Sequence, residues 1–425
     1  MNLQYILLKV FRDITPIISG TFLARLLTFL ISLIVARVGG AQTFGEYTLF
    51  LSIFAITATV GEYFDTTFIR VANTPAAKNQ QNRLHAAHIV AKLLYAIAVT
   101  CGAWATAPLL AQRVFQKPDS AALITLAALA GGLASLYVAT IGFYRLRQEF
   151  RKVAMLLPVL NAILLLAIGA LAISKRTFNA ELVFVTFVIV AAALATVSIL
   201  RLATILVSIA DPFSLRLTYF MRQAAPLVGG SIFALIANSL DVLFLTAYVT
   251  FADLGIYGVA ARTATVLAIL GTAFRIFLEP KAAQAVRDAR HKREFMTMSG
   301  VLLTLYTGAI AVFALLIEQF IAVFFGAQYE AANTIAIALI VKTSLEIYAI
   351  PLIATIQCGP RPVDIVYLSL FRLTVAAALL ATLVPAFGVV GAAYAVVGAS
   401  AAGLAASGLF VVLHARRAGA MKTKK

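Results

Sequence analysis

The chain has 425 residues, of which 62% are apolar and only 12% are charged. A soluble globular protein is about half apolar and about a quarter charged, so this composition excludes a water-soluble enzyme and a disordered chain and indicates a protein embedded in lipid. The two cysteines, Cys101 and Cys358, both lie in apolar stretches, which excludes a disulfide-stapled secreted domain.

Twelve apolar windows follow one another along the chain. Each is long enough to cross a hydrocarbon core about 30 Å thick, because a helix rises about 1.5 Å per residue. The predicted spans cover approximately residues 15–38, 46–70, 89–111, 120–144, 153–173, 181–207, 224–248, 254–278, 297–317, 331–357, 363–384 and 390–413. The sequence therefore predicts an all-α membrane protein with twelve transmembrane helices.

The net charge of +17 would favour nucleic-acid binding in a soluble protein, but the positions of the 34 basic residues give it another meaning. Of these residues, 24 fall at the termini and in every second connection. The alternate connections hold four, namely Arg113, Lys117, Lys175 and Arg176. Under the positive-inside rule both termini are cytoplasmic, and the basic excess is attracted to the head groups of membrane lipids rather than to nucleic acid.

The two halves of the chain resemble each other. Shifting the sequence by 210 positions without a gap pairs Pro16 with Pro226, Gly20 with Gly230, Gly45 with Gly255 and Tyr47 with Tyr257. Spans 1 and 7 are both odd-numbered, so the halves insert with the same orientation and form two pseudo-symmetric six-helix lobes.

The repeat predicts five segments along the chain. They are a cytoplasmic N-terminal segment (1–14), an N-lobe of spans 1–6 (15–207), an amphipathic inter-lobe linker (208–223), a C-lobe of spans 7–12 (224–413) and a basic cytoplasmic tail (414–425). In transporters built from such repeats, the cargo site lies between the lobes near the bilayer midplane.

Charged side chains inside a span cost about 2.5–3.5 kcal/mol at the bilayer centre, so they normally face a wet cavity or a partner. The predicted spans contain four basic candidates for an anion-binding cleft, Arg25, Arg262, Arg372 and Lys342. Polar residues at helical spacing supply a candidate lining, Thr28, Ser32, Asn238 and Thr265. The cleft is therefore expected to be net positive and to suit an anionic cargo.

Other interpretations stay open for several of these charges. Lys342 and Glu346 are one helical turn apart and can form a self-neutralising pair. Glu62 and Asp65 in span 2 can pair with a cation at the inner rim such as Arg70.

The inner connection from Arg70 to Lys92 carries two histidines. His85 and His88 are expected on a solvated face rather than at a metal site, because no acidic ligand is near them in the sequence.

Three outer turns carry a resemblance to a known family. They are Gly39-Gly40-Ala41-Gln42-Thr43-Phe44-Gly45-Glu46-Tyr47, Phe325-Gly326-Ala327-Gln328-Tyr329-Glu330-Ala331-Ala332 and Phe387-Gly388-Val389-Val390-Gly391-Ala392-Ala393-Tyr394. With twelve spans and matching halves, the chain resembles the polysaccharide and oligosaccharide flippases, including those for O-antigen and capsule precursors. These flippases belong to the multidrug/oligosaccharidyl-lipid/polysaccharide exporter (MOP) superfamily.

The resemblance implies two lobes that alternate between inward-open and outward-open forms in the bacterial cytoplasmic membrane. The implied cargo is an undecaprenyl-pyrophosphate-linked oligosaccharide, and the implied partners are polysaccharide polymerase and assembly proteins. In the similar lipid II flippase, arginines of the first and eighth spans line the cavity, and Arg25 and Arg262 fall in those spans here.

Related exporters couple transport to H⁺ or Na⁺ through intramembrane carboxylates. The resemblance therefore makes four acidic residues candidates for ion coupling, Asp241, Glu346, Glu62 and Asp65. No cofactor is expected beyond such a coupling ion.

Two rival functions remain. A multidrug antiporter of the same superfamily shares the fold, but organic cations are disfavoured by Arg25 and Arg262 in the cleft. A membrane glycosyltransferase, such as an oligosaccharide polymerase, typically carries a long outer loop with catalytic residues, whereas the outer connections predicted here are short. With no phosphate-binding Gly-x-x-x-x-Gly-Lys-Ser/Thr loop either, the sequence predicts a transporter and not an enzyme.

Overall fold

A computed structural model describes residues 3–73, 81–174, 178–207, 217–285, 289–358 and 364–422. These ranges are almost entirely helical and contain no strand. Their α-helices are α1 Leu3–Ala72, α2 Gln81–Leu109, α3 Ser120–Leu146, α4 Phe150–Leu156, α5 Val159–Ile173, α6 Ala180–Val207, α7 Leu217–Tyr248, α8 Phe251–Ala285, α9 Ala289–Leu315, α10 Ile317–Phe324, α11 Ala332–Gln357 and α12 Asp364–Lys422.

Two of these helices are each long enough for two membrane crossings. Helices α1 and α12 contain 70 and 59 residues, and each is interrupted by a glycine with a positive φ. Gly40 has φ 75° and Gly388 has φ 55°, a left-handed conformation that glycine adopts without a Cβ clash. Each glycine turns the chain between consecutive spans, as two of the three outer-turn motifs predict.

The predicted all-α membrane fold is confirmed. Among the described residues, nine helical segments are long and apolar enough to cross a membrane, and two of them are 54 and 50 residues long. Gly40 and Gly388 divide α1 and α12 into two spans each, and α7 occupies the position of span 7. With these two divisions, the described helices correspond to the twelve predicted spans. The orientation of the termini stays a prediction.

The chain divides into two compact units, Met1–Ala247 and Tyr248–Lys425. In the first unit, α3 packs against α1, α2 and α6; in the second, α11 packs against α8 and α12. Helix α7 falls in the first unit. The predicted lobe boundaries stay a prediction, and residues 208–216 of the predicted linker lie outside the described residues.

Small residues let α1 and α3 approach closely in the first unit. A Cβ added to Gly61 of α1 would collide with Ser135, and one added to Gly131 of α3 would collide with Thr57. Close approach through small residues is how helices gain packing contacts in lipid, where water supplies no hydrophobic driving force between them. The approach brings polar groups of both helices into the dry interior.

Candidate functional site

A group of three charged side chains in the second unit, called here the open cluster, consists of Lys342, Glu346 and Arg372. Arg372 Nη2 of α12 lies 2.7 Å from Glu346 Oε1, and Lys342 Nζ of α11 lies 3.2 Å from Glu346 Oε2. The three side chains are 31% to 34% exposed. The Lys342–Glu346 pair, which the sequence left open, is therefore present, and Arg372 contacts the same Glu346 carboxylate.

The surroundings of the open cluster hold its side chains in place. Gly403 of α12 leaves room for Arg372, because a Cβ at this glycine would lie 2.6 Å from Arg372 Cδ. Two residues after Glu346, the Tyr348 hydroxyl lies 2.8 Å from Thr307 Oγ1 of α9. The buried ring of Tyr306 meets the Tyr348 ring edge to face.

The charges of the open cluster do not balance. Two cationic groups share a single carboxylate, which leaves a formal charge of +1 on side chains that are about one third exposed. A guanidinium can hold a phosphate through two parallel hydrogen bonds, and an ammonium adds a point charge. The arrangement is chemically suited to an anionic ligand.

A second group of three, called here the sealed cluster, lies inside the first unit and consists of Asp65, His88 and Lys92. Lys92 Nζ donates to Asp65 Oδ2 and to the Ser135 carbonyl oxygen, both at 2.6 Å. His88 Nε2 lies 2.9 Å from Asp65 Oδ1. All three side chains are 0% to 2% exposed.

The expectation of a solvated face for His85 and His88 is wrong, since both are completely buried. Helix α2 begins at Gln81, about two turns before the predicted span, so the supposed loop is a helix inside the bundle. His88 stacks on Phe68 with ring centroids 4.7 Å apart. Lys92 is the partner of Asp65, which the sequence did not predict. The spacing of three and four residues between His85, His88 and Lys92 is the signal that the three side chains share one helical face.

The other acidic residue of span 2 lies outside the sealed cluster. Glu62 is exposed on α1, while its carbonyl oxygen accepts from Thr66 Oγ1. Arg70, the predicted rim cation, instead donates to Gln223 of α7.

The predicted polar stripe of span 1 is present on α1. Arg25 is partly buried, and Thr28 Oγ1 donates to the Ala24 carbonyl oxygen at 2.9 Å. Ser32 is fully buried and its hydroxyl donates to the Thr28 carbonyl oxygen at 3.0 Å. Both hydroxyl groups thus donate to carbonyl oxygens of their own helix, and each hydroxyl oxygen can still accept a hydrogen bond.

The remaining predicted residues lie on α7 and α8. Asn238 is exposed, and the partly buried Asp241 accepts from the backbone N–H of Val242 at 2.9 Å. On α8, Arg262 is partly buried and the exposed Thr265 donates to the Ala261 carbonyl oxygen. Their assignment to a cargo site stays a prediction.

The family of the chain follows from its sequence match. Residues 10–275 match the family described as Polysaccharide biosynthesis protein (Polysacc_synt). The chain belongs to this family. No curated protein matches the chain in sequence.

Solved structures share the fold across nearly the whole chain. The lipid II flippase MurJ in an inward closed conformation has a TM-score of 0.73 and 13% identity, covering 92% of this chain and 86% of that one. An inward-facing multidrug resistance MATE family transporter of the MOP superfamily has a TM-score of 0.71 and 13% identity, covering 94% and 95%. A MOP superfamily transporter from Pyrococcus furiosus has a TM-score of 0.60 and 12% identity, covering 96% and 95%.

At these identities the likeness shows the fold alone, which is that of MOP superfamily transporters. The family and the structural neighbours agree with the prediction that the chain is not an enzyme.

Proposed function

We propose that the protein is a flippase for an anionic undecaprenyl-pyrophosphate-linked oligosaccharide. It carries this lipid from the inner to the outer leaflet of the bacterial cytoplasmic membrane by alternating access, for the synthesis of a surface polysaccharide such as O-antigen or capsule. Membership of the polysaccharide biosynthesis family supports the glycan part of the proposal. The fold shared with a lipid II flippase supports the lipid-linked part.

The observation that carries the proposal is the open cluster. A pyrophosphate cannot cross hydrocarbon without its hydration unless protein groups replace that hydration. Arg372 and Lys342 offer charged donors on partly exposed side chains, and their single shared acid, Glu346, leaves them short of one negative charge. A phosphate oxygen completes this balance. Arg25 of α1 and Arg262 of α8 are proposed as further head-group contacts, each within its own unit.

The rest of the cargo needs less from the protein. Sugars require hydroxyl and amide partners, which Thr28, Asn238 and Thr265 can supply, and the lipid tail can stay in the bilayer. Polymerase and assembly proteins are the proposed partners that receive the exported unit. Coupling to H⁺ or Na⁺ through the intramembrane carboxylates, or a membrane potential worth about 2.3 kcal/mol per charge per 100 mV, supplies the energy.

A multidrug antiporter is the second candidate, because a MATE family transporter matches the fold almost as well as the lipid II flippase does. The Pyrococcus furiosus transporter is described as having a binding pocket of reversed polarity, which suggests a different function for that protein. The polarity of the pocket is therefore what separates the two candidates, and a cationic drug is repelled by the +1 charge of the open cluster.

A transport assay in sealed vesicles separates these functions. The purified protein is expected to flip a fluorescent undecaprenyl-pyrophosphate oligosaccharide and to leave a cationic dye untransported. Arg25→Ala or Arg262→Ala should abolish flipping at unchanged protein abundance, with Lys at either position rescuing it in part. Arg275→Ala, an exposed arginine of α8, serves as the control. Dye transport without lipid transport would refute the proposal in favour of the antiporter.

A further inference from the structure

The N-terminal end of α7, which is its inner end in the predicted topology, packs against α1 and α2, directly over the sealed cluster. Phe220 is completely buried, and its ring lies 5.8 Å from the His88 ring and 6.4 Å from the Phe64 ring. Ala224, one turn later, is also completely buried in the same hydrophobic group. Helix α7 thus covers one side of the His88 imidazole.

Polar contacts support this docking at both ends of α7. At the inner end, Arg70 Nη2 donates to the Gln223 carbonyl oxygen at 3.2 Å and to Gln223 Oε1 at 3.1 Å. At the other end, the Lys117 ammonium donates to the Thr246 carbonyl oxygen. All of these residues belong to the first unit.

The sealed cluster is neutral only while His88 is uncharged. Asp65 and Lys92 cancel each other, and His88 Nε2 lies 2.9 Å from Asp65 Oδ1 but outside hydrogen-bond geometry. Both imidazole nitrogens are buried and have no hydrogen-bond partner among the described residues, and in the neutral ring one of them is a lone-pair acceptor. This atom is available to accept a proton.

The other charged and titratable groups around the cluster come from the helices packed against it. Among the described residues they are Glu62 on α1, His85 on α2, Arg145 on α3, Arg147 directly after α3 and Arg201 on α6, while α7 contributes the Phe220 ring. Glu62 and Arg145 have opposite signs, and neither nitrogen of the buried His85 has a hydrogen-bond partner in the part of the chain that the structure describes. No described carboxylate besides Asp65 contacts His88, so these neighbours leave an added proton on His88 uncompensated.

We propose that Asp65, His88 and Lys92 form a proton-binding site, and that protonation of His88 releases the inner end of α7 from α1 and α2. A second positive charge in a fully buried cluster is costly unless water or an anion reaches it. Water gains access most easily by displacing Phe220, since α1, α2 and α3 are held together by Lys92 itself. The inference deepens the proposed function by naming the proton as coupling ion, and it rests on that function only for the link to transport.

The docking of α7 can be measured without any cargo. Spin labels at Asn82→Cys and Arg222→Cys, both exposed positions, report the distance between α2 and α7 in lipid vesicles when Cys101 and Cys358 are replaced by serine. The ratio of docked to released protein is expected to fall by up to about tenfold between about pH 8 and about pH 5.5, because an imidazole that has reached water titrates near pH 6.5. An unchanged distance distribution across this range would overturn the proposal.

Three variants and one matched control assign the effect to His88. His88→Gln, which cannot take up a charge, should remain docked at both pH values. Lys92→Met should reverse the direction, because a protonated His88 then becomes the counter-ion that Asp65 lacks. His85→Gln should respond like the parent protein, as should His291→Gln, the matched control at an exposed position of α9.

A pH response that survives His88→Gln, or that disappears in His85→Gln, would contradict the assignment. Because the measurement contains no lipid-linked cargo, its failure leaves the flippase proposal standing. Conversely, a failed flipping assay leaves the pH response of α7 unaffected.

Discussion

The sealed and open clusters are built from the same kinds of group and differ in their access to water. Each contains one carboxylate and two basic side chains, but the first is 0% to 2% exposed and the second is 31% to 34% exposed. In the sealed cluster the charges must balance internally, and a histidine makes this possible because it can be neutral. In the open cluster a surplus charge is tolerated because the side chains are partly exposed.

The helices around each cluster explain this difference. Gly142 of α3 allows the Asp65 carboxylate to lie against the helix backbone, since a Cβ there would be 3.1 Å from Asp65 Oδ1. Helices α1, α2 and α3 therefore close around the sealed cluster, and Phe220 of α7 covers one side of His88. Glu346 instead sits on a partly exposed face of α11, and Arg372 reaches it from α12.

Lys92→Met should have the largest effect on stability of any change in either cluster. It leaves the Asp65 carboxylate buried and short of its main partner, which costs about 3–5 kcal/mol of unfolding free energy. Thermal unfolding in detergent measures the loss. Lys152→Met is the control, because the Lys152–Glu149 pair is exposed and its attraction is screened by water. Equal losses in the two variants would show that the sealing of the first cluster has no energetic consequence.

In the open cluster, substitutions should alter ligand binding more than stability. Arg372→Ala should weaken the binding of an undecaprenyl-pyrophosphate lipid by about tenfold or more, the effect of removing a charged donor. Glu346→Gln should strengthen binding, because it frees both cations. Fluorescence titration in detergent measures the two affinities. If both variants changed affinity in the same direction, the surplus charge would not be what attracts the ligand.

A smaller effect is expected from Gly403→Ala, which tests how Arg372 is positioned. The new methyl group displaces Arg372 Cδ, forcing a strained rotamer at about 0.5–1.5 kcal/mol and weakening lipid binding by about threefold. Gly408→Ala is the matched control on the same helix, because nothing lies within 4 Å of its added Cβ. Identical affinities for the two alanine variants would mean that Gly403 plays no part in placing the guanidinium.

The smallest effect should come from Thr307→Val, which removes the hydroxyl that contacts Tyr348 beside the open cluster. Hydrogen bonds between membrane helices are worth about 0.6 kcal/mol on average. A double-mutant cycle of Thr307→Val with Tyr348→Phe, followed by thermal unfolding, isolates this coupling. A coupling above about 2 kcal/mol would indicate that the pair is part of a larger buried network.

Sequence reasoning predicted the open cluster in part. The spacing of Lys342 and Glu346 indicates a pair on one helical turn, whereas the contact with Arg372 joins helices that are separate in the sequence. The sequence does not predict the sealed cluster, because the predicted span begins about two turns after the start of α2. The buried histidines are therefore assigned to a solvated loop. Both failures concern contacts and boundaries that depend on neighbouring helices.

The sequence alone determined the helical membrane fold and its spans, because the length of an apolar run and the turn residues that interrupt it are local properties of the chain. Gly40 and Gly388 mark two of those turns in the structure as in the sequence. Only the tertiary structure decided which charges are sealed and which stay open. That outcome depends on how closely separate helices approach, and burial changes the free energy of a charged group far more than its local sequence does.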